Sequence, residues 1–252
     1  MPLPPDERLE DAARRYGSMR SFAAEYLRER IISGVLLPGE SLQIDEIAQR
    51  LKVSATPVRE ALQSLRVEGF VDGVRGQGFR VHPITAADIE DVFLVHANVA
   101  GELAARAARS ISDEQLRVLE ALHYELLAAA VRGDVEALEA RNNEFHHLLN
   151  HIVDAPRLRW LVALFSKYVP RNFYAQIEGW PEATRADHTQ IIDAIKARDA
   201  EAARHAASEH IIHSGELLAA HFRSATASAS TCTATGSSRP TPRHSTSASI
   251  HA

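Results

Sequence analysis

The stretch Gln43–Gly69, QIDEIAQRLKVSATPVREALQSLRVEG, constrains this chain more than any other. Ile44, Ile47 and Leu51 repeat at spacings of three and four, which puts one apolar stripe on a short helix. Lys52 and Val53 follow as a turn. Ser54 stands where it can cap a second helix, and Pro57 falls in the first turn of that helix, where a missing N–H costs least. Val58, Leu62 and Leu65 form the inward stripe of the second helix. Two short helices joined by a tight turn make a helix-turn-helix, whose second helix can enter a DNA major groove. The outward and N-terminal positions of that helix hold Ser54, Thr56, Arg59, Gln63 and Arg66. Hydroxyls and helix N-terminal amides can hold phosphates, and Arg59, one turn in, can reach a phosphate or a guanine edge. Taken alone, the pattern fits a solvated surface helix equally well.

The flanks shift the balance. Residues 21–33 read as a helix with Phe22, Ala23, Tyr26, Leu27 and Ile31 inward, ended by Gly34. Leu37-Pro38-Gly39-Glu40 is a turn, since Pro pre-sets one dihedral and Gly permits the next. After Gly69, residues 70–74 and 78–82 are strand-like runs, and Arg75-Gly76-Gln77-Gly78 between them is a hairpin tip. A helix-turn-helix followed by a hairpin is a winged arrangement. Arg75 at the tip and Arg80 nearby suit backbone or minor-groove contact; an ordinary hairpin with a charged tip is the alternative.

Together, Gly34-Val35-Leu36-Leu37-Pro38-Gly39, Ile47-Ala48, the run Val53–Leu62 (VSATPVREAL), Leu65, Glu68-Gly69 and Gly76 resemble the GntR family of bacterial transcription regulators over about sixty residues. The resemblance implies a dimeric winged helix-turn-helix repressor or activator that binds a palindromic, double-stranded DNA operator, one half-site per subunit. Thr56 and Arg59 match positions at which the family contacts DNA, as does Gly76 at the wing. Ala55 stands where the family often has a base-contacting arginine.

Composition sets outer limits. A chain of 252 residues, 45% hydrophobic, can bury one large core or two smaller ones. The net charge of −5 excludes a globally basic nucleic-acid binder. From Arg20 to His82, nine basic residues stand against eight acidic ones, a mild asymmetry in favour of DNA binding at that end. The single cysteine, Cys232, excludes an intrachain disulfide framework and a Cys-based zinc site. The first seventeen residues are polar and acidic where a signal peptide would be apolar, and no apolar run is long enough to cross a bilayer. The expectation is a soluble cytoplasmic protein with no membrane partner.

From Thr85 onward the pattern is helical only. Thr85-Ala86-Ala87-Asp88 resembles a capping box with Asp in place of Glu, opening a helix to about Arg109. Ser112–Gln115 is a second box, opening a helix to about Val131. Gly133-Asp134 breaks and recaps, for a helix to about Val153; Pro156 begins a fourth, to about Gln176. A fifth runs to Ala197, and Asp199 caps a sixth that ends near Phe222. Short connections make these an antiparallel bundle of six to seven helices. The expected organisation is mainly α: a flexible N-terminus over 1–17, a winged helix-turn-helix domain over 18–83, a helical sensor domain over 84–222, and a disordered Ser/Thr-rich tail over 223–252, whose composition cannot offset its ordering entropy. The bundle resembles the all-helical C-terminal (FCD-type) sensor domain of the FadR branch of the GntR family.

Thirteen histidines are many, and their placement matters more. Asn142 lies on the inward stripe Leu138, Phe145, Leu149, Ile152, and His146 follows it by one turn. His188 is in line with Ile191, Ile192 and Ile195; His210 is in line with Ala203, Ala207, Ser214 and Leu217. One such ring is most often a satisfied core histidine. Three converging rings and an amide each need partners, and a divalent transition metal supplies them: zinc first, with nickel, manganese, iron or copper as alternatives. The family resemblance agrees, implying a metal held by an Asp four residues before a Phe-His histidine and by two later histidines. Here Asn142 replaces the Asp, and His146, His188 and His210 match the rest, so the set lacks one charge. The resemblance also implies an open metal face for an effector carboxylate, a small organic or sugar acid, helped by an arginine in the first sensor helix. His96 stands at that position, and Arg171 is a second candidate. His147 and His205 are expected to turn away from the site. The reading is a ligand-responsive transcription regulator. The alternatives are a metal-dependent hydrolase built on the bundle and a metal-free sensor of the same fold.

Overall fold

The computed structural model describes residues 16–76, 78–169, 177 and 179–234, with the backbone alone at 181 and 224–234. Arg171 and residues 235–252 lie outside it, as do residues 1–15 and Gln77. The chain is mainly α, as the periodicities require.

The first unit begins with α1 (Met19–Ile32), whose Ser18 hydroxyl accepts the Ser21 amide at 3.0 Å. Phe22, Ala23, Leu27 and Ile31 are buried on its inner face. Then come α2 (Ile44–Leu51) and α3 (Ala55–Val67), joined at Lys52, which takes the left-handed conformation (φ 54°) that ends α2. Val58, Ala61, Leu62 and Leu65 of α3 are fully buried. Ser54 precedes α3, but its hydroxyl makes no cap bond, which corrects the capping role expected of it. The wing strands are β2 (Val71–Val74) and β3 (Gly78–Val81), antiparallel with Val74 opposite Gly78. A third strand, β1 (Ser41–Leu42), pairs with the other edge of β3 and gives the order β1-β3-β2. Two residues are too few for any alternation to announce a strand; Leu42, buried against Phe79, is its whole inward content.

The bundle has six helices among the described residues: α4 (Ala86–Ser110), α5 (Asp113–Arg132), α6 (Val135–His151), α7 (Pro156–Phe165), α8 (Trp180–Lys196) and α9 (Ala200–Ala234). Both predicted capping boxes form. Asp88 replaces Glu without loss, since Thr85 N–H donates to its carboxylate at 2.7 Å and Asp88 N–H donates to the Thr85 hydroxyl at 3.2 Å. Asp199 caps α9 by accepting the amides of Glu201 and Ala202 at 3.1 and 3.0 Å.

Two expectations fail at helix ends. The helix from Pro156 stops at Phe165, well short of Gln176, and tightens into a 3-10 turn over Ser166–Tyr168. The β-conformation of Val169 then leads the chain away. The sixth helix does not stop near Phe222 but continues to Ala234, so the first part of the expected disordered tail is helical. Residues 224–234, SATASASTCTA, contain no Gly or Pro. Propagating a helix already formed needs only residues that do not break it.

The long helices α4 and α9 form the spine. Alanines at 104, 107, 203 and 207 are buried between them. Gly101 and Gly215 bring the backbones closer still: a Cβ on Gly215 would lie 2.6 Å from Phe93 Cβ, and one on Gly101 would lie 2.8 Å from the Arg204 carbonyl oxygen. One apolar core runs from the winged unit through Ile89, Phe93 and Leu218; a second is built on Phe145, Leu149, Ile191 and Ile195.

Candidate metal and effector site, and the DNA-facing surface

Three elements carry imidazoles to one point between the two cores. Phe145, fully buried, anchors α6, and its neighbour His146 turns in toward α8 and α9. His188 on α8 stacks on the Phe145 ring at 4.2 Å between centroids and is itself fully buried. His210 on α9 is 4% exposed. His146 Nε2 lies 3.1 Å from His210 Nε2 and 3.2 Å from His188 Nε2, and the ligand atoms of all three fall within 4.8 Å of one another.

These separations bear on whether a metal fits. Four ligands at the usual zinc–nitrogen bond length sit about 3.4 Å apart in a tetrahedron, near the two shorter contacts. Hydrogen bonding does not account for them. Burial first, and then repulsion from neighbouring histidines, holds the pKa of His146 and His188 well below the ordinary imidazole value, so both rings are neutral near pH 7. A neutral ring has one proton, and Nε2 of His146 cannot satisfy two facing nitrogens at once. In addition, Oδ1 of Asn142 is buried and lacks a hydrogen-bond partner. The three imidazole nitrogens could hold a divalent cation, and the partnerless Asn142 oxygen, which lines the same cavity, is a candidate fourth donor.

The cluster opens on a cavity of about 460 Å3, lined among others by Phe93, His96, Asn142, His146 and His210. His96 is buried, at 6% exposure, and so is not a helix-surface histidine. Its Nδ1 has no partner, its ring lies 5.8 Å from Phe165, and burial pushes its pKa down to about 4, with a smaller push from His210. It is a neutral ring with one polar atom to spare, facing the same space as the cluster. His147 is exposed and lies outside the imidazole cluster, stacking on His151, although it is among the residues that line the cavity. His205 is exposed and does not line it. Arg171 lies outside the described residues.

Sequence reasoning gave little weight to two features. Asp187 is buried beside His188 and contacts Nδ1 of both His210 and His213. Burial alone would raise its pKa, but the bonds and charges of His210 and His213 outweigh that and lower it. The spacing of His210 and His213 on one face of α9 was the available signal. The second feature is the joint between the units. Lys167 Nζ and Arg28 Nη2 each reach the Glu68 carboxylate at 2.7 Å, the Tyr168 hydroxyl donates to the Glu68 carbonyl at 2.8 Å, and the Tyr168 ring packs on Phe70 at 4.7 Å. Burial raises the Glu68 carboxyl, but Lys167 and Arg28 outweigh it and hold it ionised. No local pattern pairs residues a hundred positions apart.

On the winged unit, Ser54, Thr56, Arg59 and Gln63 are exposed along one side of α3, and Arg75 and Gly76 are exposed at the wing tip. Arg66 is also outward, but its side chain lies under Gly73 of the wing. Gly76 and Gly78 take positive φ (76° and 87°), the conformation this tight tip requires. No helix among the described residues is long and apolar enough to cross a membrane.

Comparison with known proteins gives one answer. Residues 19–81 match the family of bacterial regulatory proteins named gntR, and residues 91–213 match the FCD domain. The HTH-type transcriptional repressor RspR of Escherichia coli K12 is 28% identical over 188 residues, which are 73% of this chain and 82% of that protein. An HTH-type transcriptional regulator of Agrobacterium vitis is 30% identical over 132 residues, 51% of this chain and 77% of that one. The solved structure of E. coli McbR/YncC superposes with a TM-score of 0.61 at 24% identity, over 80% of this chain and 97% of that one.

Proposed function

Because the chain belongs to the gntR family of bacterial transcription regulators, with an FCD domain behind its helix-turn-helix, we propose that it binds a palindromic operator as a homodimer and is released or rearranged by a small carboxylate metabolite held near a divalent metal. Its families and relatives are regulators and not enzymes, which sets the hydrolase alternative aside.

The observation that carries the DNA half is the sidedness of α3. Val58, Leu62 and Leu65 are fully buried, while Thr56, Arg59 and Gln63 are exposed on the opposite side. Ser54 spends no hydroxyl on capping, so that hydroxyl and the first-turn amides of α3 are available to a phosphate. Arg59 and Arg75 make no ion pair among the described residues, which leaves both for phosphate or base contact.

The sensing half rests on the imidazole cluster and its cavity. His146, His188, His210 and the Asn142 oxygen hold the metal, zinc in the first instance. When bound, the metal supplies a Lewis-acidic anchor for the effector's carboxylate. His96 offers a neutral polar contact across the same cavity. Arg171 remains part of this proposal as a second effector contact.

Effector occupancy reaches DNA through the 3-10 turn. Ser166 lines the cavity, and the next two residues, Lys167 and Tyr168, hold Glu68 at the end of α3. A ligand that moves Ser166 therefore strains the grip on the DNA-reading helix, a differential contact of the kind that shifts a two-state equilibrium.

Three measurements test the proposal. Fluorescence anisotropy with DNA from upstream of the chain's own gene should show saturable binding at low salt; no binding to any nearby promoter removes the DNA half. Purified protein should take up zinc in a way that His146→Ala and His210→Ala abolish. Equal metal in all three proteins favours the metal-free sensor instead. A thermal-shift screen of organic and sugar acids should find a stabilising ligand.

A further inference from the structure

Behind the cluster lies a carboxylate that neither ligation nor the cavity wall uses. Asp187 precedes His188 on α8 and is 7% exposed. Its Oδ2 lies 3.3 Å from Nδ1 of His210, and its two oxygens lie 3.2 and 3.3 Å from Nδ1 of His213. An ionised carboxylate only accepts hydrogen bonds. Nδ1 of His210 is therefore the donor, and a neutral His210 keeps its lone pair on Nε2, the atom that faces His146 at 3.1 Å. His188 has no such support, for its Nδ1 is buried without a partner.

We propose that Asp187 is a positioning residue for divalent-metal binding: it fixes His210 as the Nδ1–H tautomer, aims the Nε2 lone pair into the cluster, and supplies from behind the ring the negative charge that the neutral set Asn142, His146, His188 and His210 lacks. The inference rests on the metal reading of that cluster. A carboxylate on the far ring nitrogen orients the imidazole and raises its basicity toward the metal, and loss of such a partner typically weakens metal binding about 10–100-fold. His213, partly exposed on α9, holds the same carboxylate from the solvent side.

The test uses the full chain and zinc ions alone, with affinity read by competition against a chromophoric chelator. Beside it, long-range proton–nitrogen spectra of the metal-free protein report which ring nitrogen of each histidine is protonated; the His210 signals are those lost in His210→Gln. The wild type should show His210 protonated at Nδ1 and bare at Nε2. Asp187→Asn, which keeps the shape and removes the charge, should bind zinc about 10–100-fold more weakly, and Asp187→Glu should recover part of the loss. Asp187→Leu, which removes the acceptor, should lose the preference for Nδ1–H on His210, whereas a purely structural role for Asp187 would leave the tautomer unchanged in that variant. Two results overturn the inference alone: a wild-type His210 protonated at Nε2, or an Asp187→Asn protein that holds zinc as tightly as wild type. A wild type that binds zinc no better than His146→Ala overturns it together with the metal reading. Should Asp187→Asn fail to fold, the wild-type tautomer decides the matter.

Discussion

Replacing Gly215 with alanine tests the packing that places the site. At an uncrowded helix interior this change stabilises by about 1 kcal/mol, because glycine is the poorer helix former. Here the new Cβ would lie 2.6 Å from both Cβ and Cγ of Phe93. Carbon atoms rest at about 3.5–4.0 Å, so α4 and α9 must part locally by roughly 1 Å. Phe93 cannot swing clear, since it is 2% exposed and Cβ is fixed to the backbone of α4. The helices cannot slide either. They meet again at Gly101, and there the Ser208 hydroxyl donates to the Ala97 carbonyl at 3.0 Å. Overpacking of this kind costs about 1–3 kcal/mol, which outweighs the propensity gain and reverses the sign. At about 2–4 °C per kcal/mol for a chain of this size, the melting temperature of the metal-free protein should fall by several degrees. Phe93 also lines the cavity, so zinc affinity should fall with it. Circular-dichroism melts decide the point: a Gly215→Ala protein that melts at or above wild type refutes the close approach of these helices.

Three other perturbations address the site. Asn142→Asp should tighten zinc binding at least tenfold: a unit charge pair at about 4 Å and an effective dielectric near 20 is worth up to about 4 kcal/mol, desolvation erodes part of that, and tenfold needs about 1.4. Unchanged affinity would remove Asn142 from the ligand set. Arg59→Ala should weaken operator binding by about 1–3 kcal/mol and leave stability within about 0.5 kcal/mol, since the side chain is exposed; anisotropy and melts together check both halves. His96 makes the metal-free protein acid-sensitive. Its folded pKa, about 4, is below the ordinary 6.5, so its contribution is intact above about pH 6.5 and is lost as pH falls toward 4, by about 1.4 kcal/mol per pH unit. In urea unfolding at pH 6.5 and 5, His96→Gln should lose about 2 kcal/mol less than wild type; equal losses would show His96 to be solvated.

How much of this was legible depends on the range over which each feature is encoded. The helix-turn-helix, both capping boxes and the Asp199 cap are local, fixed by residues within one or two turns, and the structure reproduces them, save the Ser54 cap. The cluster of His146, His188 and His210 was legible because helical periodicity says which way each ring points, and three inward rings in one bundle have little space in which to avoid one another. The inward position of His96 follows from the same rule, yet its burial depends on Phe93 and Phe165 from two helices. What stayed hidden is long-range or very short. The strand Ser41–Leu42 exists only because β3 offers it an edge, and the pairing of Lys167 with Glu68 joins elements with no common period. The end of α7 at Phe165 is set by where Tyr168 must go to pack on Phe70, a tertiary demand that overrides local propensity.

That same joint offers the proposed effector signal a route out of the bundle. The clustered histidines stand on α6, α8 and α9, and α9 approaches α4 closely at Gly101 and Gly215. The part of the cavity wall that touches the joint is the short 3-10 turn, where Ser166 lines the cavity and Lys167 and Tyr168 grip Glu68. Glu68 is held on two sides, by Arg28 of α1 and by Lys167 of the bundle. Breaking the Lys167 side leaves its charge buried beside Arg28 alone, so the recognition helix remains folded while the charged part of the joint is lost and only the Tyr168 contacts remain. Hydrogen bonds to charged groups contribute about 1.5–3 kcal/mol, which matches the 1–3 kcal/mol over which allosteric coupling usually operates. Lys167→Ala should accordingly leave operator binding intact and weaken its response to effector; a variant that still responds fully would place the coupling elsewhere.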